Sequence, residues 1–204
     1  MSTAKANIYI VDDDLSASSS LCRMLNTLGY TCERFECPEV FLNKAIINSP
    51  AVILLDMRMP KMSGTDLQEV LLALGRTTPI IMMSGEASNG EIIKSMKLGV
   101  IDFLLKPFDI PNLLEVIDCA LTIDTAYSKT HIEVLKIKAR YNTLTKREKE
   151  ICEVLISGAL SKTIAVELRI TPATIKVHKA NILKKMGARN ILELSKFVDT
   201  VKQH

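Results

Sequence analysis

Asp56 follows the apolar run Ala51-Val52-Ile53-Leu54-Leu55 and precedes Met57-Arg58-Met59-Pro60, so a carboxylate ends what the pattern predicts to be a buried strand. Burying a carboxylate is costly unless a cation or hydrogen-bond donors meet it. Three other apolar runs also end in polar groups: Asp12 and Asp13 after 8–11, Ser84 after 80–83, and Lys106 with Pro107 after 101–105. If these runs are parallel strands, their carboxyl ends lie along one sheet edge and the groups converge there. Three carboxylates in one place resist joint ionisation unless a divalent cation sits among them, and a few oxygen ligands completed by water suit Mg²⁺. Lys106 adds an ammonium. A carboxylate surrounded by Mg²⁺, an ammonium and a hydroxyl is equipped to receive a phosphoryl group. Taken singly, each residue has an ordinary explanation, since strand-end Asp residues cap helices and Ser and Lys are common at surfaces; their joint placement favours the site.

The elements that would position these groups alternate. Residues 8–11, 31–35, 52–55, 80–83 and 101–105 read as strands, the second polar on alternate residues like an edge strand. Helical patterns fill 16–28, 38–48, 63–74, 89–98 and 109–123. Five such βα units predict an α/β fold with one doubly wound, five-stranded parallel sheet in the order 2-1-3-4-5. Residues 124–142 lack Gly and Pro, and Ile132, Leu135 and Ala139 recur at helical spacing, which predicts a helical linker. The rest is all-α. Thr145-Lys146-Arg147-Glu148 is a capping box, Gly158 breaks the helix it opens, a short helix is expected at 161–168, and Thr171-Pro172 opens another.

Charge divides the chain at the same place. Residues 1–123 carry ten Lys and Arg against fifteen Asp and Glu, whereas 124–204 carry sixteen against eight. A basic half suits a polyanionic partner, nucleic acid before a membrane surface, although two differently solvated surfaces would give the same split. No apolar run approaches the ~20 residues of a membrane span, and a cytoplasmic protein is expected. The five cysteines are scattered without metal-ligand spacing and are expected to be buried structural thiols.

The front half resembles the receiver domain of two-component response regulators, through Ile10-Val11-Asp12-Asp13-Asp14, Leu55-Asp56-Met57-Arg58-Met59-Pro60, Met83-Ser84-Gly85 and Leu105-Lys106-Pro107-Phe108. The resemblance implies that Asp56 is the phosphoryl acceptor. It also implies that Asp12, Asp13, the Asp56 side chain and the Arg58 backbone carbonyl organise Mg²⁺, and that Lys106 contacts the phosphoryl group. Ser84 would be the switch hydroxyl and Phe103 the switch aromatic. Arg58 and Glu86 occupy variable positions beside the site and are candidates for an exposed salt bridge of little weight. An aspartyl-phosphate hydrolase is the rival reading, but those enzymes usually place a second acid where Arg58 stands.

In the basic half, a helical wheel over the helix opened by Thr171 puts Ile175, Ile182 and Met186 on one side and Ala173, Val177, Ala180 and Lys184 on the other, with Lys176 and Lys179 flanking. Such a small outer face suits a major groove, where Val177 or Ala180 can meet thymine methyls and Lys176 a guanine edge or phosphate; a plain three-helix bundle is the alternative. With aromatics at 4% of residues, a base-stacking platform for single strands is not expected. His178 lacks a His or Cys partner at ligand spacing, so zinc is not expected. This half is similar to the LuxR-type helix-turn-helix of NarL/FixJ regulators through Leu144-Thr145-Lys146-Arg147-Glu148, Ser161-Lys162-Thr163-Ile164-Ala165, Thr174-Ile175-Lys176-Val177-His178 and Lys184-Lys185-Met186-Gly187-Ala188. That implies DNA contacts from Thr171, Thr174, Lys176, Val177, Lys179, Ala180 and Lys184, phosphate contacts from Ser161 and Lys162, and a last helix available for dimerisation. The expected organisation is a receiver at 1–123, a linker at 124–142 and a DNA-binding domain at 143–204. Expected partners are a sensor histidine kinase, double-stranded promoter DNA, a second copy of the chain formed on phosphorylation, and RNA polymerase as a further candidate.

Overall fold

The computed structural model describes residues 6–45, 47–158 and 170–203. The chain divides into two compact units, Met1–Ser128 and Lys129–His204. In the first, five parallel strands, β1 (Asn7–Val11), β2 (Thr31–Phe35), β3 (Ala51–Asp56), β4 (Ile80–Ser84) and β5 (Asp102–Leu105), are ordered β2-β1-β3-β4-β5. The helices between them are α1 (Leu15–Thr27), α2 (Pro38–Lys44), α3 (Gly64–Ala73) and α4 (Asn89–Lys97).

Side chains alternate across a strand, so Ile8, Ile10, Val52 and Leu54 pack with Leu25 of α1. Leu113, Ile117 and Ala120 of α5 (Ile110–Asn142) join that side, while Tyr9, Val11, Ile53 and Leu55 face Phe41 of α2 and Leu67 and Leu71 of α3. Both faces are covered, which is why every residue of β3 is buried and its sequence reads as a continuous apolar run. β2 is the outer strand and keeps its polar residues exposed.

The helical pattern at 109–123 and the linker at 124–142 form one uninterrupted helix, α5. Ile132 and Leu135, whose spacing predicted the helix, are about half exposed, while Ile137 packs into the core of the second unit. Ile132 and Leu135 lie about 140° and 160° around the helix from Ile137, so a helix face that buries Ile137 turns both outward.

In the second unit, α6 (Lys146–Ile156), α7 (Pro172–Met186) and α8 (Ile191–Gln203) pack Ile151, Leu155, Ile175, Ile182, Met186, Leu194 and Val198 together. The helix expected at 161–168 lies outside the described residues. Thr145 caps α6 in the anticipated capping box, and Glu148 takes a second role. Although buried, its carboxylate accepts hydrogen bonds from the Thr145 backbone N–H (2.8 Å) and from Lys185 Nζ of α7 (2.7 Å). The Lys185 hydrogen bond holds Glu148 below the ordinary glutamate range. A carboxyl whose folded pKa lies below its unfolded value stabilises the fold above the unfolded value and loses that contribution as pH falls through the folded one. Glu148→Ala should therefore cost roughly 1–3 kcal/mol at neutral pH, with the gap to the unaltered chain closing as urea titrations are repeated into acid.

Candidate functional site

The polar groups at the ends of β1, β3, β4 and β5 lie along one sheet edge because the strand register carries on past the strands, and those of β1, β3 and β5 meet there. Asp56 pairs with Met83 and Ser84 with Leu105, and the ladder continues through Met57 N to Met83 O (2.8 Å) and Lys106 N to Ser84 O (2.7 Å). Asp12, Asp56 and Ser84 are all buried. Lys106 Nζ lies between the first two, donating to Asp12 Oδ2 (2.7 Å) and Asp56 Oδ1 (2.5 Å). Backbone donors hold the remaining oxygens, Asp14 N on Asp12 Oδ1 (2.8 Å) and Arg58 N on Asp56 Oδ2 (2.8 Å).

Burial pushes the Asp56 carboxyl above the ordinary aspartate range, outweighing the opposing pull of Lys106. Burial on its own would lower Lys106, but its hydrogen bonds to Asp12 and Asp56 carry it above the ordinary lysine value. The arrangement is a compact ion cluster in which two buried carboxylates share one ammonium, with Asp56 presenting a carboxylate held in a fixed rotation.

Asp13 is exposed and lines an adjoining cleft with Arg58, Pro60, Ser63, Thr65 and Glu91. Among the described residues, no three acidic, histidine or cysteine side chains converge as a ready ligand set, and Lys106 bridges the two buried carboxylates. The donor chemistry nevertheless fits Mg²⁺, which is held by one or two carboxylates and keeps several waters.

The Ser84 hydroxyl donates to the Glu86 carbonyl (2.6 Å), within its own loop, and Phe103 is half-buried on the α2 and α3 side of the sheet. The Arg58 guanidinium stands 3.9 Å from both Glu86 and Glu91 with its side chain largely exposed, so these pairs contribute little.

In the second unit, Thr171 Oγ1 accepts from Thr174 N (3.1 Å) and starts α7. Ile175, Ile182 and Met186 are fully buried, whereas Ala173, Lys176, Val177, Ala180 and Lys184 are exposed and Thr174 and Lys179 half-exposed. Val177 is 59% exposed, an apolar surface that its own unit leaves uncovered. Ser161 and Lys162 lie outside the described residues.

Two structurally important residues went unread in the sequence. Gly64 N donates to Met57 O (2.9 Å), which brings the start of α3 against the backbone that carries Asp56. Arg140, near the end of α5, donates from Nη1 to the Met186 carbonyl (3.3 Å) at the end of α7. Neither carries a local signal; Glu91, which lines the cleft and was also missed, does carry one, since Ser88-Asn89-Gly90-Glu91 is a capping box.

Residues 8–118 match the family model of the response regulator receiver domain, and 142–198 match that of bacterial regulatory proteins of the luxR family. The chain belongs to the NarL/FixJ response regulators. Among relatives of this regulator, the response regulator protein TodT of Pseudomonas putida is 36% identical over 99% of this chain and 89% of its own. The transcriptional regulatory protein FixJ of Bradyrhizobium diazoefficiens is 34% identical over 94% of each. The solved structure of the response regulator StyR superimposes with a TM-score of 0.84 at 33% identity, covering 95% of this chain and 98% of that one. The regulator thus combines a flavodoxin-like receiver, the domain that works with a sensor kinase, with a DNA-binding helix-turn-helix domain of the luxR type. It is a two-component transcription regulator and not a typical enzyme. No helix among its described residues is long and apolar enough to cross a membrane.

Proposed function

We propose that Asp56 accepts a phosphoryl group from a sensor histidine kinase in the cytoplasm, and that this modification of the receiver (1–123) promotes dimerisation and promoter binding by residues 143–204 through the helical linker 124–142. The observation that carries this reading is the Lys106 ammonium shared between buried Asp12 and Asp56. In the transfer, an Asp56 oxygen bonds to phosphorus as the bond from phosphorus to the donor breaks. The Arg58 N–H fixes the carboxylate rotation, and Lys106, anchored by Asp12, stands ready to pair with the incoming phosphoryl oxygens. Asp12, Asp13, Asp56 and the Arg58 carbonyl would hold Mg²⁺, which when bound neutralises phosphoryl charge.

Phosphorylation adds acceptor oxygens that compete with the Glu86 carbonyl for the Ser84 hydroxyl; as Ser84 turns, Phe103 moves inward and the surface around β4 and β5 changes. On DNA, Lys176, Lys179 and Lys184 contact phosphates or a guanine edge, and Val177 and Ala180 meet thymine methyls. Thr171, Thr174, Ser161 and Lys162 complete the backbone contacts, and RNA polymerase is the next partner on the promoter.

The test is promoter affinity before and after acetyl phosphate with Mg²⁺. Affinity should rise about tenfold or more on phosphorylation, and equal affinity in both states would overturn the switch. Replacing Lys176 and Lys184 together by Ala should weaken binding and flatten the dependence of log K on log salt by about two units, one for each lost phosphate contact. An unchanged slope would place the phosphate contacts elsewhere.

A further inference from the structure

Along the buried face of α5, Leu113, Ile117 and Ala120 are followed at the next helical step by Asp124, which is 5% exposed. A carboxylate in an apolar stripe is costly, and the donors that meet this one are uncharged: Oδ2 accepts from the Ala51 N–H (3.0 Å) and from the Ser49 hydroxyl. Ser49 Oγ also lies 2.7 Å from Ser128 Oγ, one turn further along α5. The loop they close on is itself anchored. Asn7 N donates to Pro50 O (2.9 Å), Asn7 Nδ2 to Asn48 O (2.7 Å) and Asn48 N to the Tyr9 hydroxyl (3.1 Å), so residues 48–50 are tied to β1.

This contact stands at two junctions. Ala51 is the first residue of β3, the strand whose last residue is Asp56. Ser128 is the last residue of the first unit, and beyond it α5 continues to Asn142, with Ile137 in the core of the second unit and Arg140 bonded to the end of α7. Apolar contacts at Leu113, Ile117 and Ala120 are non-directional and tolerate a small slide or rotation of the helix. An N–H aimed at a carboxylate oxygen does not. A slip of one residue would shift α5 by about 1.5 Å and turn everything after it by about 100°.

We propose that Asp124 is a positioning residue: its contacts with Ala51 and Ser49 set the advance and rotation of α5 where it leaves the receiver, and through them phosphorylation at the far end of β3 reaches the linker. The second half rests on the switch proposed for Asp56; the first does not. An apolar side chain at 124 would complete the stripe at no loss of stability, so the carboxylate serves geometry.

Asp124→Leu in the full chain should therefore unfold in urea no earlier than the unaltered protein and take up phosphoryl groups from acetyl phosphate and Mg²⁺ at the same rate. Amide exchange in residues 125–136, followed by mass spectrometry without phosphate, should nevertheless be at least about fivefold faster. After phosphorylation, the gain in promoter affinity should fall from about tenfold to about twofold or less. Asp124→Asn, which still offers Ala51 N an oxygen, should restore both readouts. Unchanged exchange in the Leu variant would overturn the positioning role, and a full affinity gain despite faster exchange would overturn the coupling. Should Leu lower the urea midpoint, Ser49→Ala with Ser128→Ala decides in its stead: faster exchange in 125–136 supports the positioning role and unchanged exchange overturns it. An unaltered chain that gains no affinity on phosphorylation would sink the switch at Asp56, and the exchange measurement would still decide the role of Asp124.

Discussion

Asp56→Asn is expected to take up no measurable phosphoryl group from acetyl phosphate and Mg²⁺, a loss of at least about 10³-fold when the modified fraction is followed by intact-mass spectrometry. The amide has no anionic oxygen to attack phosphorus. Asp12 does not replace it, because its oxygens already hold Lys106 through Oδ2 and the Asp14 N–H through Oδ1. The same substitution should leave the receiver at least as resistant to urea at neutral pH. Burial raises Asp56 above its ordinary value, and a carboxyl whose folded pKa exceeds its unfolded one costs stability once pH rises past the folded value; a neutral amide removes that cost. Lys106 keeps Asp12 as its partner. Substantial uptake by the Asn variant would move the acceptor to another residue.

Gly64→Ala is expected to destabilise the receiver by roughly 2–4 kcal/mol in urea unfolding and to slow phosphoryl uptake with it. A Cβ at this position would overlap the Asp56 carbonyl oxygen and stand 3.0 Å from Met57 Cα. Both neighbours are backbone, and Met57 is pinned by its hydrogen bonds to Met83 O and from Gly64 N, so neither can swing aside as a flexible side chain would. Relief must come from shifting the start of α3 or the end of β3, and the latter carries Asp56. Wild-type stability and uptake in this variant would show that the loop yields at no cost.

Much of the architecture was legible in residue order. Apolar runs at 52–55 and 80–83 are continuous because both faces of those strands are covered, and that burial permits few other readings. The polar residue closing each run marks the sheet edge where ligands bind. The wheel of α7 was equally readable, since Ile175, Ile182 and Met186 are buried and Val177 and Lys184 exposed by simple helical period.

Properties that depend on distant partners were not readable. Periodicity in 124–142 predicted a helix through Ile132, Leu135 and Ala139, but not that Ile137 would be the residue taken into the core of the second unit. Odd, scattered cysteines suggested buried thiols, yet only Cys152 is buried; Cys119 is exposed and Cys22, Cys32 and Cys37 are intermediate, because which side of each element is covered depends on its neighbours. Gly64 looked like any loop glycine until the Asp56 backbone was found against it.

Asp56 itself shows where the division falls. Local pattern was enough to place this carboxylate, with Asp12, Ser84 and Lys106, at the ends of parallel strands, because strand period and the alternation of strands with helices can be read along the chain. That Lys106 bridges Asp12 and Asp56 across 94 and 50 residues, leaving Asp13 in the neighbouring cleft, was decided only by tertiary packing, because distance and burial determine which charges neutralise one another.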